Sequence, residues 1–164
     1  MEAPLEDIFI ETVNQNIGIA HKVCRIYFPN EADREDVMQE MFYQLWRSYP
    51  AFRGESKFTT WMYRVCLNTA LTYFKKSKKN QSETLSPSHQ NIPDSAAERS
   101  GDDTATLYAM IERLSPLNKS IVLLYLEGYR YDEISAITGL TLSNVSVKLV
   151  RIKQELKKNT QQTL

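Results

Sequence analysis

The segment from Leu140 to Lys158, LTLSNVSVKLVRIKQELKK, constrains the fold more than any other part of the chain, because its apolar residues recur at helical spacing. Four apolar side chains share one face of the predicted helix: Val145, Leu149, Ile152 and Leu156. The opposite face carries mainly short polar residues and two cations: Ser143, Asn144, Ser146, Val147, Lys148 and Arg151. The segment therefore predicts an amphipathic helix with a polar, basic outer face.

A shorter helix, Tyr131 to Thr138, is predicted just upstream, with Ile134 and Ile137 pointing inward. Gly139 can take the left-handed conformation that ends it, and Thr141 can cap the next helix. Two short helices joined by a glycine-containing turn are typical of a helix-turn-helix, whose second helix enters the major groove of DNA. An ordinary helical hairpin with a solvated polar face is the alternative.

Composition and charge limit the class of protein. The chain has 164 residues, 42% of them apolar, and no apolar run approaches the ~18 residues of a membrane span. The N-terminus is acidic and lacks the basic region of a signal peptide, which predicts a cytoplasmic protein. Cys24 and Cys66 lie among apolar residues and are expected to be buried free thiols. The net charge is zero, but basic clusters lie at Lys75–Lys79 and Lys148–Lys158.

Helical patterns extend over nearly the whole chain. We expect a helix from Leu5 to Tyr27, a second from an Asn30 cap through Trp46, and a third capped by Ser56. Ser77 to Asp103 is polar and contains two prolines, which is typical of a tether. The fold class is therefore all-α, with two small helical domains: residues 1–80 and residues 104–164, joined by a flexible acidic linker at 81–103.

Signals for catalysis are weak. His21 and His89 belong to no metal-ligand spacing, and neither a phosphate-binding glycine loop nor a nucleophile elbow is present. We expect a protein that is not an enzyme and that needs neither a metal nor a cofactor.

Two further segments allow both a structural and a binding interpretation. The acidic, polar face that begins at Glu35 is either a solvated surface near a positive helix N-terminus or a docking face for a partner. The segment Tyr49–Lys79 interleaves aromatic residues with cations. Its aromatic side chains could form core, or they could stack on single-stranded nucleic acid while the cations hold phosphates.

Taken together, these segments resemble a bacterial RNA polymerase sigma factor of the extracytoplasmic-function (ECF) group of the sigma-70 family. EDVMQEMFYQLWR resembles region 2.2, FRGESKFTTWMYRVCLNTA resembles regions 2.3 and 2.4, and LSPLNKSIVLLYLEGYRYDEISAITGLTLSNVSVKL resembles region 4. The resemblance implies a transcription initiation factor that binds core RNA polymerase and directs it to specific promoters. Region 4 of such a factor reads the −35 element in duplex DNA, and region 2 helps to melt and capture the −10 element.

The resemblance also implies roles for individual residues. The polymerase-facing positions, which would contact the clamp helices of the largest subunit, are Asp36, Gln39, Glu40, Phe42 and Trp46. The −10 positions are Phe52, Arg53, Gly54, Glu55, Ser56, Arg64, Asn68, Lys75 and Lys76, and Lys78 and Lys79 continue toward upstream phosphates. The −35 positions are Ser143, Asn144, Ser146, Val147, Lys148 and Arg151.

The sequence departs from the family pattern at positions that bear on promoter choice. Thr72 stands where many relatives have an aspartate, and lysines replace the arginines that usually follow. Ser146, Val147 and Lys148 occupy the place of a frequent Lys-Ser-Arg run. Lysine lacks the bidentate fork with which arginine reads guanine. The architecture is therefore expected to carry over from the family, but the promoter sequence is not.

The implied partners are core polymerase, including its clamp helices and flap, and promoter DNA, with an anti-sigma factor as a further candidate. The competing hypothesis is a helix-turn-helix regulator that binds an operator without polymerase, usually as a dimer. A sigma-sequestering interaction protein is a third class, but it would not need a helix that faces the DNA groove.

Overall fold

The computed structural model describes residues 4–83 and 102–162, and all of its regular elements in these ranges are helical. The all-α prediction is confirmed. Contacts between residues divide the chain into two compact units, Met1–Leu85 and Ser86–Leu164.

The N-terminal unit is a bundle in which three helices enclose the core. Its helices are α1 (Leu5–Gln15), α2 (Ile17–Tyr27), α3 (Glu31–Ser48) and α4 (Phe58–Glu83), and a short 3-10 turn occupies Tyr49–Ala51. Helices α2, α3 and α4 pack against one another. Several side chains have no exposed surface at all: those of Ala20, Val23, Val37, Met41, Leu45, Met62, Cys66 and Ala70. The apolar face of each helix therefore meets the other two.

The prediction of a single helix from Leu5 to Tyr27 is wrong, because the helix is interrupted at Asn16. The Asn16 backbone has φ −116° and ψ 17°, which is outside the helical region. Its side-chain amide donates to the carbonyl of Thr12 at 2.9 Å. Asparagine competes for backbone groups in this way and so favours helix ends. Apolar spacing alone continues across the break and does not reveal it.

The predicted cap of α3 is confirmed, and the cap of α4 is not. Asn30 accepts a hydrogen bond from the backbone amide of Ala32 at 2.9 Å. Helix α4 begins at Phe58, so Lys57 and not Ser56 occupies the cap position, and the Ser56 hydroxyl points toward the carbonyl of Lys57 at 3.4 Å.

Helix α4 also runs further than the sequence indicated. It ends at Glu83, so residues 77–83 are helical although their polar composition suggested a tether. This stretch is rich in lysine, asparagine, glutamine and glutamate and contains no proline. Lysine, glutamine and glutamate are good helix formers. The remainder of the predicted linker, with His89, lies almost entirely outside the described residues.

The C-terminal unit contains the predicted helix-turn-helix. Its helices are α5 (Asp102–Glu112), α6 (Pro116–Leu126), α7 (Tyr131–Thr138) and α8 (Leu142–Gln162). Ser115 caps α6 by accepting from the backbone amide of Asn118 at 3.3 Å, and Pro116 takes the first helical position. The core lies where α6, α7 and α8 meet, and its fully buried side chains include Ile121, Leu124, Ile134, Val145, Leu149 and Ile152.

Both cysteines are free and buried in the N-terminal core, as predicted. Burial is the main reason that the pKa of Cys24 is raised to about 11 and that of Cys66 to about 12. The thiol of Cys24 lies 3.7 Å from the sulfur of Met41. These thiols act as small apolar groups that join α2, α3 and α4.

Candidate nucleic-acid and polymerase interfaces

Helix α3 presents one exposed acidic face, which we define by Asp36, Gln39, Glu40 and Tyr43. All four side chains are exposed, and that of Tyr43 is 56% exposed. The amide of Gln44 donates to the carboxylate of Glu40 at 2.9 Å. The residues at i, i+3, i+4 and i+7 share one side of a helix. The structure therefore brings three of the predicted polymerase-facing residues together with Tyr43, which belongs to the acidic, polar face that the sequence predicts from Glu35 onward.

The other two predicted polymerase-facing residues lie at the flank of the acidic face. Phe42 is half-buried, and Trp46 is 43% exposed. The Trp46 ring makes an edge contact with Phe9 of α1, with ring centroids 5.0 Å apart. The Trp46 ring therefore packs against α1, and the rest of its surface is exposed to solvent.

A cleft of about 380 Å³ lies between the loop after α3 and the first turns of α4. Its lining residues are Ala51, Phe52, Arg53, Glu55, Ser56, Trp61 and Arg64. Phe52 and Trp61 form one wall, with ring centroids 5.1 Å apart and planes inclined at 36°. Phe58 packs against both rings, at 5.9 Å from Phe52 and 5.4 Å from Trp61. The cleft thus combines an aromatic wall with two arginines and one carboxylate.

Gly54 gives the loop its shape. Its backbone has a φ of 72°, which is in the left-handed region that side chains with a Cβ rarely adopt. No atom lies within 4 Å of the position that a Cβ would take. The requirement for glycine is therefore conformational and not a matter of space.

The polar residues predicted on α4 fall into two sets. Arg64, Asn68 and Lys75 are exposed and recur at i, i+4 and i+11, so they form one stripe that begins at the cleft. Lys76 is exposed as well but lies about 100° further around the helix. Thr72, at the position where the family often has aspartate, donates its hydroxyl to the carbonyl of Asn68 at 2.8 Å. The Thr72 hydroxyl is therefore hydrogen-bonded within its own helix.

The turn of the helix-turn-helix is fixed by short side-chain contacts. Gly139 ends α7 with a φ of 79°, as predicted. The Ser135 hydroxyl donates to the carbonyl of Leu140. Thr141 accepts from the backbone amide of Asn144 at 3.2 Å, which confirms it as the cap of α8. These bonds set the direction in which α8 leaves the turn.

Helix α8 turns most of its predicted DNA-binding residues to solvent. Ser143, Asn144, Val147 and Arg151 are exposed, and they lie opposite the buried residues of the same helix. Ser146 and Lys148 are half-buried at the two flanks. The exposed side of α8 also includes Val150, which is 53% exposed and was not among the predicted residues. Its helical position, off the buried stripe of Val145, Leu149 and Ile152, places it outside.

None of the helices in the described ranges combines the length and the apolarity that a membrane span requires.

Comparison with known proteins identifies the class to which these two units belong. The Sigma-70 region 2 family model matches residues 12–80, and the Sigma-70, region 4 model matches residues 104–156. The matched segments follow the family order and together span most of the chain. The chain belongs to the sigma-70 family.

The curated relatives place it in the ECF group of that family. The chain is 28% identical over 157 residues to the ECF RNA polymerase sigma-E factor of Escherichia coli K12, covering 86% of this chain and 82% of that protein. It is 29% identical over 142 residues to the sigma-E factor of Haemophilus influenzae, covering 79% and 75%. The chain is thus an ECF sigma factor, which directs core RNA polymerase to promoter DNA. The operator-binding alternative receives no support.

Solved structures agree on the fold. The sigma factor RpoE of Bartonella quintana, bound to the anti-sigma factor NepR, matches with a TM-score of 0.72 at 14% identity, covering 90% of this chain and 95% of that one. CnrH, bound to the cytosolic domain of CnrY, matches with a TM-score of 0.68 at 18% identity, covering 95% and 89%.

Proposed function

We propose that the two units divide the work of promoter recognition. Residues 1–80 bind core polymerase and melt and read the −10 element, residues 81–103 link the units, and residues 104–164 read the −35 element. The observation that carries this proposal is that each family region coincides with a compact unit bearing its own exposed polar surface.

The acidic face of α3 is the polymerase contact. Asp36, Gln39 and Glu40 are exposed, whereas the opposite side of the helix is buried through Val37, Met41 and Leu45. The helix is thus already anchored and can present its carboxylates without rearrangement. Exposed charges of one sign speed association with an oppositely charged surface and select against surfaces of the same charge. Trp46 adds an aromatic anchor at the edge of this contact.

The cleft beside Phe52 holds an unpaired base of the −10 element. Separating one base-pair step costs on the order of 1.4 kcal/mol in stacking. Stacking of a base on an aromatic side chain returns roughly 1–3 kcal/mol. Capture of one base can therefore offset the opening of about one step, and the polymerase supplies the rest. Arg64, Asn68 and Lys75 continue the path along α4 for the strand backbone.

The exposed face of α8 enters the major groove at the −35 element. A recognition helix contacts base edges with its N-terminal residues. Ser143, Asn144 and Val147 lie in the first two turns of α8, and Arg151 follows one turn later. The hydroxyl and amide groups can hydrogen-bond to base edges, and Arg151 can bind either guanine or a phosphate.

Further properties follow from this role. A factor that works on polymerase and DNA acts in the cytoplasm and has no catalytic activity of its own. One structural relative is bound to the anti-sigma factor NepR, and another is bound to the cytosolic domain of CnrY. An anti-sigma factor is accordingly a partner of this chain too.

Run-off transcription tests the proposed function directly. Purified core polymerase would be assayed with and without this protein on fragments of the source genome. Start-specific transcripts that require the protein support the proposal, and their alignment gives both promoter elements. The proposal fails if no transcript depends on the protein while the protein alone binds duplex DNA tightly.

A further inference from the structure

Two valines interrupt the polar outer face of α8. Val147 is 47% exposed and Val150 is 53% exposed, although the core of the unit already contains Val145, Leu149 and Ile152 of the same helix. Valine has a lower helix propensity than lysine, glutamate or glutamine. At these positions about half of each valine side chain stays exposed in the free protein, and valine adds no helix stability there. Among the described residues, these two side chains leave apolar surface open beside the polar residues of the same face, and a ligand of this face would cover it.

Val147 occupies the centre of the exposed face. It follows Ser143 by four residues and precedes Arg151 by four, so the three side chains form one line along the helix. Each step of four residues advances about 6 Å along the axis. Val150 lies beside this line, one turn after Val147. The apolar pair thus sits between a hydroxyl on one side and a guanidinium on the other.

The major groove offers only one apolar group to such a side chain. Each base pair shows hydrogen-bond donors and acceptors there, and thymine alone adds a 5-methyl group. An isopropyl group cannot hydrogen-bond, so that methyl is the base feature that it can favour by direct contact. We propose that Val147, supported by Val150, packs against the 5-methyl group of a thymine in the −35 element. The inference rests on the proposed function, and it adds the class of base that this helix selects.

A protein partner fits this face less well. Interface anchors are enriched in tryptophan, tyrosine and arginine, and valine is under-represented among them. The two valines stand among Ser143, Asn144 and Arg151, with the cation Lys148 at the flank of the same face. Small polar groups and flanking cations around a narrow apolar centre match a groove whose walls are phosphates.

Replacement of thymine by uracil tests the contact, because it removes only the methyl group. Holoenzyme would first select duplexes from a pool randomised at the −35 element. Each thymidine of the selected element would then be replaced by deoxyuridine, and holoenzyme binding would be measured by competition. We expect at least one position where uracil weakens binding roughly fourfold, which is the effect of losing one buried methyl group.

The variant Val147→Ser connects the effect to the residue. It should bind the thymine and uracil duplexes equally, whereas Lys157→Ser, a change at another exposed residue of α8, should keep the difference. Circular dichroism checks that both variants fold.

The outcomes separate the two proposals. A selected element without thymine, or uracil tolerated at every position, overturns the inference and leaves the sigma function intact. So does a uracil effect that persists in Val147→Ser. If holoenzyme selects no sequence at this element, the assignment of α8 to the −35 element fails, and the inference fails with it.

Discussion

The rings of Phe52 and Trp61 lie 5.1 Å apart, with their planes inclined at 36°. Phe52 belongs to the loop after α3, and Trp61 belongs to the first turn of α4. Their contact, supported by Phe58, holds the loop against the helix and forms the wall of the cleft. The site therefore depends on a loop that is positioned by aromatic packing and shaped by one left-handed glycine.

We predict that Phe52→Ala weakens promoter opening while leaving polymerase binding intact. Phe52 is half-buried at the surface, so its loss should unfold little. The loss of one base–aromatic stack corresponds to roughly 5- to 150-fold in opening, at about 1–3 kcal/mol. Permanganate reactivity of −10 thymines in the holoenzyme complex measures the effect. Phe52→Tyr keeps the ring and serves as the control, and equal opening by the alanine variant would remove Phe52 from the site.

Glu40→Lys is predicted to abolish polymerase binding while the fold survives. Glu40 is exposed, and its carboxylate accepts a hydrogen bond from Gln44 of its own helix. Reversing its charge therefore leaves the core untouched and places a cation at the centre of the acidic face. Titration with labelled core enzyme measures the affinity. Glu11→Lys on α1 makes the same charge change at another exposed position. An unchanged core affinity in Glu40→Lys would refute the assigned role.

Arg151→Ala is predicted to weaken use of the −35 element without changing polymerase binding. A bidentate contact with guanine is worth about 1–3 kcal/mol, and its loss would relax sequence preference at one position. A phosphate contact would instead weaken binding of all sequences alike and reduce the salt slope by about one. Lys157→Ala removes a cation from the same helix away from the proposed contact. Transcription from promoters with an intact −35 element should be weaker with the Arg151→Ala variant. Transcription equal to that of the wild type would exclude Arg151 from the −35 contact.

Much of the fold was accessible from the sequence because its signals are local. The Asn30 and Thr141 caps and the Gly139 turn each depend on a few neighbouring residues, and the structure has all three. The break at Asn16 was missed, because the apolar period continues across it. The start of α4 was misjudged because Ser56 is a favoured cap residue, whereas the helix begins one position later. The end was misjudged because composition identifies polar segments but does not show whether they are helical.

Less of the candidate sites than of the fold could be predicted from the sequence. Residue roles came from the family resemblance and stay predictions. The sequence could not show that Trp46 packs on Phe9, because the two residues are far apart along the chain. Such contacts depend on how the helices pack, and the sequence pattern describes each helix only by itself. The exposure of Val150, by contrast, was accessible from the sequence, because helical spacing places it off the apolar stripe of Val145, Leu149 and Ile152.

The buried thiols give a prediction about reactivity and pH. The pKa of Cys24 is raised to about 11 and that of Cys66 to about 12, in both cases chiefly by burial. Because the thiolate is the reactive form, neither residue of the native protein should react with a disulfide reagent at pH 8, and both should react in denaturant. Mass spectrometry of the modified chain counts them. Reaction of the native protein with two equivalents of reagent would show that the thiols are accessible.

The same shifts fix the sign of the pH dependence of stability. An unfolded chain ionises its thiols near their ordinary value of 9.0, whereas the folded protein keeps them protonated to higher pH. The unfolded state therefore loses protons first. The contribution of the thiols to the free energy of unfolding is complete below pH 9 and is lost as the pH rises through about 11 and 12. The pKa of Tyr73 is also raised, by burial and by the negative charge of Asp36, so Tyr73 adds to the loss in this alkaline range.

The variant Cys24→Ala/Cys66→Ala isolates the contribution of the thiols, because it keeps Tyr73. Denaturant unfolding at several pH values should show a shallower alkaline fall for this variant than for the wild type. Identical slopes would mean that the thiols ionise alike in the folded and unfolded chains.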